Sequence, residues 1–145
     1  VADILQVQDL QISRRMARGW APVVDGIEFA LQQGEVLGVC GESGSGKTLT
    51  SLSIVGLVPK GLRITGSIRY AGVELVGADH RRLRAIRGKE IAVVWQDPSS
   101  TLHPLLTIGT QLTEHARYHL RLSAQSARTR ALELLDAVRV PDPAS

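Results

Sequence analysis

Hydrophobic and polar positions alternate in two places near the start of the chain. Leu5 and Val7 are spaced by Gln6 and Gln8, while Ile27, Phe29 and Leu31 are spaced by Glu28, Ala30 and Gln32. A period of two predicts half-buried strands, and antiparallel pairing is the natural way to join them. The stretch 14–22 between them contains Gly19 and Pro22 and is expected to be a loop; Gln32-Gln33-Gly34-Glu35 is expected to be a tight turn. A second short pair is expected at Ser67 to Tyr70 and Val73 to Leu75, turning at Ala71-Gly72. Two segments break the alternation. Val36-Leu37-Gly38-Val39-Cys40 and Ile91-Ala92-Val93-Val94-Trp95 are continuous apolar runs, which predict strands covered on both faces, as in a parallel sheet. Helical spacing follows the first run from Leu49 to Leu57. Thr107 is placed to cap a helix carrying Ile108 and Leu112 on one face, and Ser123 or Ser126 to start another carrying Ala127, Ala131, Leu134, Leu135 and Val138. The chain then runs through Pro141-Asp142-Pro143, with no internal repeat.

Between the first apolar run and its helix stands Gly41-Glu42-Ser43-Gly44-Ser45-Gly46-Lys47-Thr48, the spacing G-x-x-x-x-G-K-[ST]. At that spacing a backbone loop can wrap nucleotide phosphates. An oligophosphate needs convergent N–H donors and the positive end of a helix dipole, and glycines let the backbone come close. Lys47 is expected to bridge the outer phosphates, Thr48 to hold Mg²⁺ with its hydroxyl, and Ser43 and Ser45 to add donors. Strand, loop and helix together predict an α/β fold whose ligand lies at strand ends. Gln96 closes the second apolar run and offers a neutral carbonyl acceptor for Mg²⁺ there; the alternative is a hydrogen-bonded strand terminus.

Composition narrows the classes. Seventeen Lys and Arg against fourteen Asp and Glu give a formal charge of +3, mild enough to tolerate an acidic partner without demanding one. Aromatics make up only 3% of the chain, too few for the basic–aromatic interleaving that stacks bases. Arg81, Arg82, Arg84, Arg87 and Lys89 are accordingly expected on a solvated face. No apolar stretch reaches the roughly 18 residues of a membrane span, and the first residues lack the order of a signal peptide. Cys40 is the one cysteine, which excludes an internal disulfide, and its apolar run predicts inert packing. His115 and His119 share a helical face, but no third ligand has matching spacing, so no metal site is expected. His80 and His103 are isolated and expected on the surface or in loops.

These pieces resemble the nucleotide-binding subunits of ABC transporters. Gly26-Ile27-Glu28-Phe29, Gly34-Glu35 and the phosphate loop follow the family's spacing. Trp95-Gln96-Asp97-Pro98-Ser99-Ser100-Thr101-Leu102-His103-Pro104 and Thr107-Ile108-Gly109-Thr110-Gln111 look like the dipeptide, oligopeptide and nickel importer branch, which usually carries asparagine where His103 stands. The resemblance implies a partial P-loop NTPase core with an antiparallel β subdomain and the start of a helical subdomain. It divides the chain into 1–35, mostly antiparallel β; 36–60, strand, phosphate loop and helix; 61–96, a β pair and the core strand up to Gln96; and 97–145, the loop after Gln96 and the first helices. It implies ATP and Mg²⁺ as cofactors, held by Gly41 to Thr48, with Gln96 sensing the γ-phosphate through Mg²⁺ and water. Lys47 and Gln96 are the implied catalytic residues. Trp20 looks like the aromatic that stacks on adenine, the alternative being packing against the β subdomain.

The implied partners are transmembrane permease subunits, a second ATP-binding subunit, identical or related, and indirectly a solute-binding protein, with the subunit peripheral on the cytoplasmic face of the cell membrane. No nucleic acid is expected, although an ABC-type ATPase acting on nucleic acid is the alternative reading. The family's signature segment, acidic pair and switch histidine do not occur before Ser145. The expectation is therefore an amino-terminal piece of a longer ATPase, inactive alone, whose two apolar runs lack neighbours and promote self-association.

Overall fold

A computed structural model describes residues 3–97 and 101–142, which form two units, Val1–Arg87 and Gly88–Ser145. The first is built on a four-stranded antiparallel sheet of order β2-β1-β3-β4. Strand β1 (Asp3–Met16) lies inside it, between β2 (Gly19–Gln32) and β3 (Leu62–Tyr70), and β4 is only Val73–Glu74. The two hairpins expected from alternation are thus one continuous sheet.

Leu5, Val7, Leu10 and Ile12 are all buried on β1, although the step from Val7 to Leu10 is odd and would send Leu10 to the other face of a regular strand. A bulge at Asp9 absorbs the extra residue: its φ is 45°, and the register shifts between Val7 and Leu10 toward β2 and between Gln8 and Gln11 toward β3. Gly66 (φ 93°) faces this bulge so closely that a Cβ there would run into the Asp9 carbonyl. Ile68 from β3 completes the inner face; burying each such aliphatic contributes about 1.5–3 kcal/mol.

The stretch 14–22 is not a loop. The ladder continues to Met16 opposite Gly19, leaving Ala17 and Arg18 as the turn. Pro22 is accommodated because β2 is an edge strand, where a missing N–H costs no ladder bond on its open side. The Gln32–Glu35 turn forms as expected, with Glu35 N donating to Gln32 O at 3.2 Å and the Glu35 carboxylate accepting from Gln32 N at 2.8 Å.

At the far edge a carboxylate substitutes for strand length. Glu74 Oε1 accepts from the amides of Ile68 (2.9 Å), Leu75 (3.1 Å) and Val76 (3.0 Å), and Oε2 accepts from the Ser67 hydroxyl at 2.5 Å. Partial burial would raise its pKa, but these donors outweigh it and hold the group below the ordinary carboxylate range.

Helix α1 (Lys47–Ile54) is followed by β3, and α2 (His80–Ile86) follows β4. Asp79 caps α2 through Arg82 N at 2.7 Å. Leu83 and Val55 are buried. Arg87 departs from the expected solvated face. Its guanidinium donates to Val55 O at 2.6 Å and Gly56 O at 2.7 Å, taking up carbonyls at the end of α1 that have no helical partner. Arg81, Arg82 and Arg84 are exposed as expected, as is Lys89 in the second unit.

Neither continuous apolar run forms a ladder. Residues 35–40 carry no strand, and beyond a single bridge at Ile91 neither do 92–95. Val36 is 93% exposed and Val94 96%. A parallel strand is stabilised by neighbours on both sides, and among the described residues no parallel partner pairs with either run. Cys40 is exposed for the same reason, contrary to the expected buried packing.

The second unit contains α3 (Ile108–Leu120) and α4 (Ala124–Ala137). Thr107 and Ser123 cap them, accepting from Thr110 N at 3.2 Å and Ser126 N at 3.1 Å. Ala116 and Ala127 are buried, whereas Leu134 and Val138 are exposed. Gln111 ties the preceding loop to α3: its amide donates to His103 O (3.1 Å) and Leu106 O (2.9 Å) and accepts from His103 N (2.8 Å). No helix among the described residues is long and apolar enough to cross a membrane.

Candidate functional site: the phosphate loop

The four described helices begin differently. Asp79, Thr107 and Ser123 each place a side-chain oxygen on a first-turn amide of α2, α3 and α4, but α1 begins at Gly46 with no side-chain cap. A helix leaves its first amides without intrahelical acceptors, and at α1 those of Lys47, Thr48 and Leu49 stay open toward the loop. Together with the dipole they form a partial positive charge.

Gly46 makes this start possible. It adopts φ 91°, ψ 1°, and a Cβ there would stand 2.5 Å from Val24 Cγ2 on β2. The loop is therefore seated on the sheet at the glycine preceding the lysine, in a conformation that an L side chain resists. Within α1 the polar residues are internally satisfied. Thr50 Oγ1 donates to Gly46 O at 3.0 Å and Ser53 Oγ to Thr50 O at 2.6 Å, which lets both be buried.

Lys47 does not reach outward. Its ammonium sits within the loop, donating to Gly41 O (2.7 Å), Glu42 O (2.6 Å) and Ser45 Oγ (3.3 Å), and Ser45 N closes the turn on Glu42 O at 3.2 Å. Three donors meet three neutral acceptors. An anion at the helix start would offer the same ammonium charge-assisted bonds, roughly twice as strong as those between neutral groups. Ser43 and Gly44 are exposed in the same loop, as is Thr48 in the first turn of α1. The eight residues expected to hold phosphates, Gly41 to Thr48, are thus brought together, and the donor set of amides, ammonium and hydroxyls suits an oligophosphate with its Mg²⁺.

Gln96 is exposed at a bend in the second unit, and Pro98, Ser99 and Ser100 of the loop after it lie outside the described residues. The Gln96 strand-end setting does not form, because Ile91 to Trp95 has no ladder. Trp20 is on β2, opposite Arg15, and is 46% exposed. The Arg63 guanidinium stands 5.8 Å from the centre of its ring. Sequence patterning missed Arg63, although its place on the adjoining β1–β3 ladder, opposite Ser13, follows once the sheet order is known. An open groove of about 500 Å³ between α3 and α4, bordered by Ile108, Leu112, Arg128 and Leu135, includes none of the expected nucleotide residues.

The family model described as ABC transporter matches residues 24–144. The chain belongs to the ABC transporter family. Its sequence is 49% identical over 144 residues to a Brucella abortus protein provisionally named a peptide import ATP-binding protein, covering 99% of this chain and 43% of that one. It is 39% identical over 145 residues to the oligopeptide transport ATP-binding protein of Bacillus subtilis, covering 99% and 40%. With the dipeptide transport ATP-binding protein of the same organism, identity is 39% over 142 residues, covering 97% and 42%. The chain thus spans less than half the length of these relatives. Among solved structures it is similar to a dimeric post-hydrolysis ATP-binding cassette bound to ADP and Pi, with a TM-score of 0.81 at 23% identity, covering 95% of this chain and 58% of that one. This likeness places the ABC chain in the α/β fold of the P-loop cassettes, in agreement with the expected fold class.

Proposed function

We propose that residues 1–145 are the amino-terminal part of the ATP-binding subunit of a peptide-type ABC importer, in which ATP binding and hydrolysis by the whole protein drive solute uptake. The observation that carries this reading is the uncapped start of α1 beside an ammonium held inside the loop. Every other described helix has its own oxygen cap, and here that place is left for a ligand.

In this reading the amides of residues 44–48 and the side chains of Ser43, Ser45 and Lys47 hold the α-, β- and γ-phosphates, with Gly41, Glu42, Gly44 and Gly46 shaping the turn. Lys47 exchanges its loop carbonyls for phosphate oxygens and stabilises charge that grows on the transferred phosphoryl group. Thr48 would supply a hydroxyl oxygen to Mg²⁺, and the ion would neutralise charge on the phosphates when bound. Trp20 offers an apolar ring to the base. The names of the relatives, all for peptide transport, favour permease subunits, a second ATP-binding chain and, indirectly, a solute-binding protein as partners, on the cytoplasmic face of the membrane. They do not favour the nucleic-acid alternative. The division expected from the sequence, with the antiparallel β part first and the helical part from residue 97, is retained as part of this proposal.

The test is Lys47→Ala in the whole protein assembled with its permease. ATP turnover is expected to fall to background while the complex still assembles; turnover at the original rate contradicts the proposal.

A further inference from the structure

Away from the phosphate loop, α3 carries His115 and His119 one turn apart, on the side facing the turn at Gly88. Spacing alone gave this pair no third donor. The fold supplies one from 27 residues upstream, since His115 Nε2 contacts the Gly88 carbonyl oxygen. The two imidazole centres are 4.7 Å apart at 48°. Both reactive nitrogens converge on one place: a Cβ built on Gly88 would stand 2.7 Å from His115 Nε2 and 3.5 Å from His119 Nε2. Tyr118 meets the His119 ring edge-on at 4.8 Å, which helps fix its orientation.

We propose that His115 Nε2, His119 Nε2 and the Gly88 carbonyl form a binding site for a divalent transition-metal ion. Two imidazoles at i and i+4 form a chelate on one helical face, and nitrogen donors select Zn²⁺, Cu²⁺ or Ni²⁺ over Mg²⁺ and Ca²⁺. Without metal, the Nε2–H of His115 donates to the Gly88 carbonyl. On binding, the imidazole changes tautomer: the Nε2 proton passes to solvent and Nδ1 takes one up, so the ring stays neutral, Nε2 presents its lone pair to the ion, and the carbonyl passes from hydrogen-bond acceptor to ligand. Water completes the shell on the exposed side, since among the described residues no cluster of three or more His, Cys, Asp or Glu side chains is placed to hold a metal. The ion would join the 88–90 turn to α3 within the second unit.

The experiment uses the untagged, chelator-stripped whole protein carrying Cys40→Ser, because the exposed thiol is itself a metal ligand. Cu²⁺ and Zn²⁺ are titrated calorimetrically, and nitrogen coupling to bound Cu²⁺ is counted by electron paramagnetic resonance. The expected result is one ion per chain with two nitrogen ligands. His115→Gln and His119→Gln should each weaken binding at least about tenfold, and His103→Gln should leave it unchanged. Far-UV circular dichroism checks that the exchanged chains keep their helices. Gly88→Ala, which puts a methyl 2.7 Å from His115 Nε2 and 3.5 Å from His119 Nε2, should weaken binding with both histidines in place. No saturable binding, fewer than two nitrogens, or wild-type affinity in either the His115 or the His119 variant overturns the proposal.

Discussion

Replacing Gly46 by alanine tests whether the phosphate loop is seated on the sheet as described. Two costs add. An L-residue at φ 91° pays about 1–2 kcal/mol for the left-handed conformation. The new Cβ, 2.5 Å from Val24 Cγ2, forces a shift in a packed region at about 1–3 kcal/mol. Gly44 is the internal control, because it has φ 84° but no atom within 4 Å of its would-be Cβ, so Gly44→Ala carries the conformational cost alone. In urea melts followed by circular dichroism, Gly46→Ala should be destabilised by about 2–5 kcal/mol and Gly44→Ala by about 1–2 kcal/mol. Each kcal/mol corresponds to about 4–8 °C in Tm for a unit of this size. Val24→Ala, which costs stability by itself because Val24 is buried, should relieve the overlap. The double variant Gly46→Ala, Val24→Ala is expected to be about 1–3 kcal/mol more stable than the two single effects predict. Equal losses at positions 44 and 46, with no coupling to Val24, would refute the seating of the loop on β2.

Three further outcomes follow from other parts of the fold. Glu74 holds its proton less tightly when folded than when unfolded, so its stabilising contribution is present above the ordinary carboxylate value of about 4.5 and is lost as pH falls through the lower folded value; Glu74→Gln should flatten the acid limb of the stability profile in that window, and an unchanged limb contradicts the role of the carboxylate. Arg87→Ala leaves the Val55 and Gly56 carbonyls without their donor and should cost about 1–3 kcal/mol in thermal melts, whereas Arg84→Ala on the exposed face should change little. In a Trp95→Phe background, Trp20 fluorescence should change on Arg63→Ala, because the guanidinium lies over its ring, and should be quenched by ATP if the indole meets the base; no response to ATP removes Trp20 from the proposed site.

What could be read from the sequence was local. The phosphate loop, the turn at Gln32 to Glu35 and the caps at Thr107 and Ser123 depend on residues a few positions apart, and their chemistry is written in those residues. The Asp9 bulge was also legible in principle, since the step from Val7 to Leu10 breaks the period of two, and Gly66 supplies the space. Pro22 and Gly19 suggested a loop because their meaning depends on whether the strand is an edge, which only the sheet order decides. Arg87 looked like one more surface cation until the end of α1 came within its reach. The apolar runs at Val36 and Ile91 were read as strands from composition, but a parallel ladder is a property of neighbours, and the described residues contain none for them. The same dependence separates Lys47, whose surroundings are within six residues, from Gln96, whose expected setting rests on a strand that does not form.

The central claim is that the loop from Gly41 to Thr48 recognises phosphates rather than a nucleoside. The most direct measurement is a calorimetric series of ATP, ADP, AMP and adenosine, with Mg²⁺, against the chain and its Lys47→Ala variant. Affinity should fall with each phosphate removed, adenosine should give no heat, and the variant should bind ATP at least about tenfold more weakly, as expected for a lost charge-assisted contact. Equal affinity for ATP and AMP, or an unaltered ATP affinity without the Lys47 ammonium, would contradict the account.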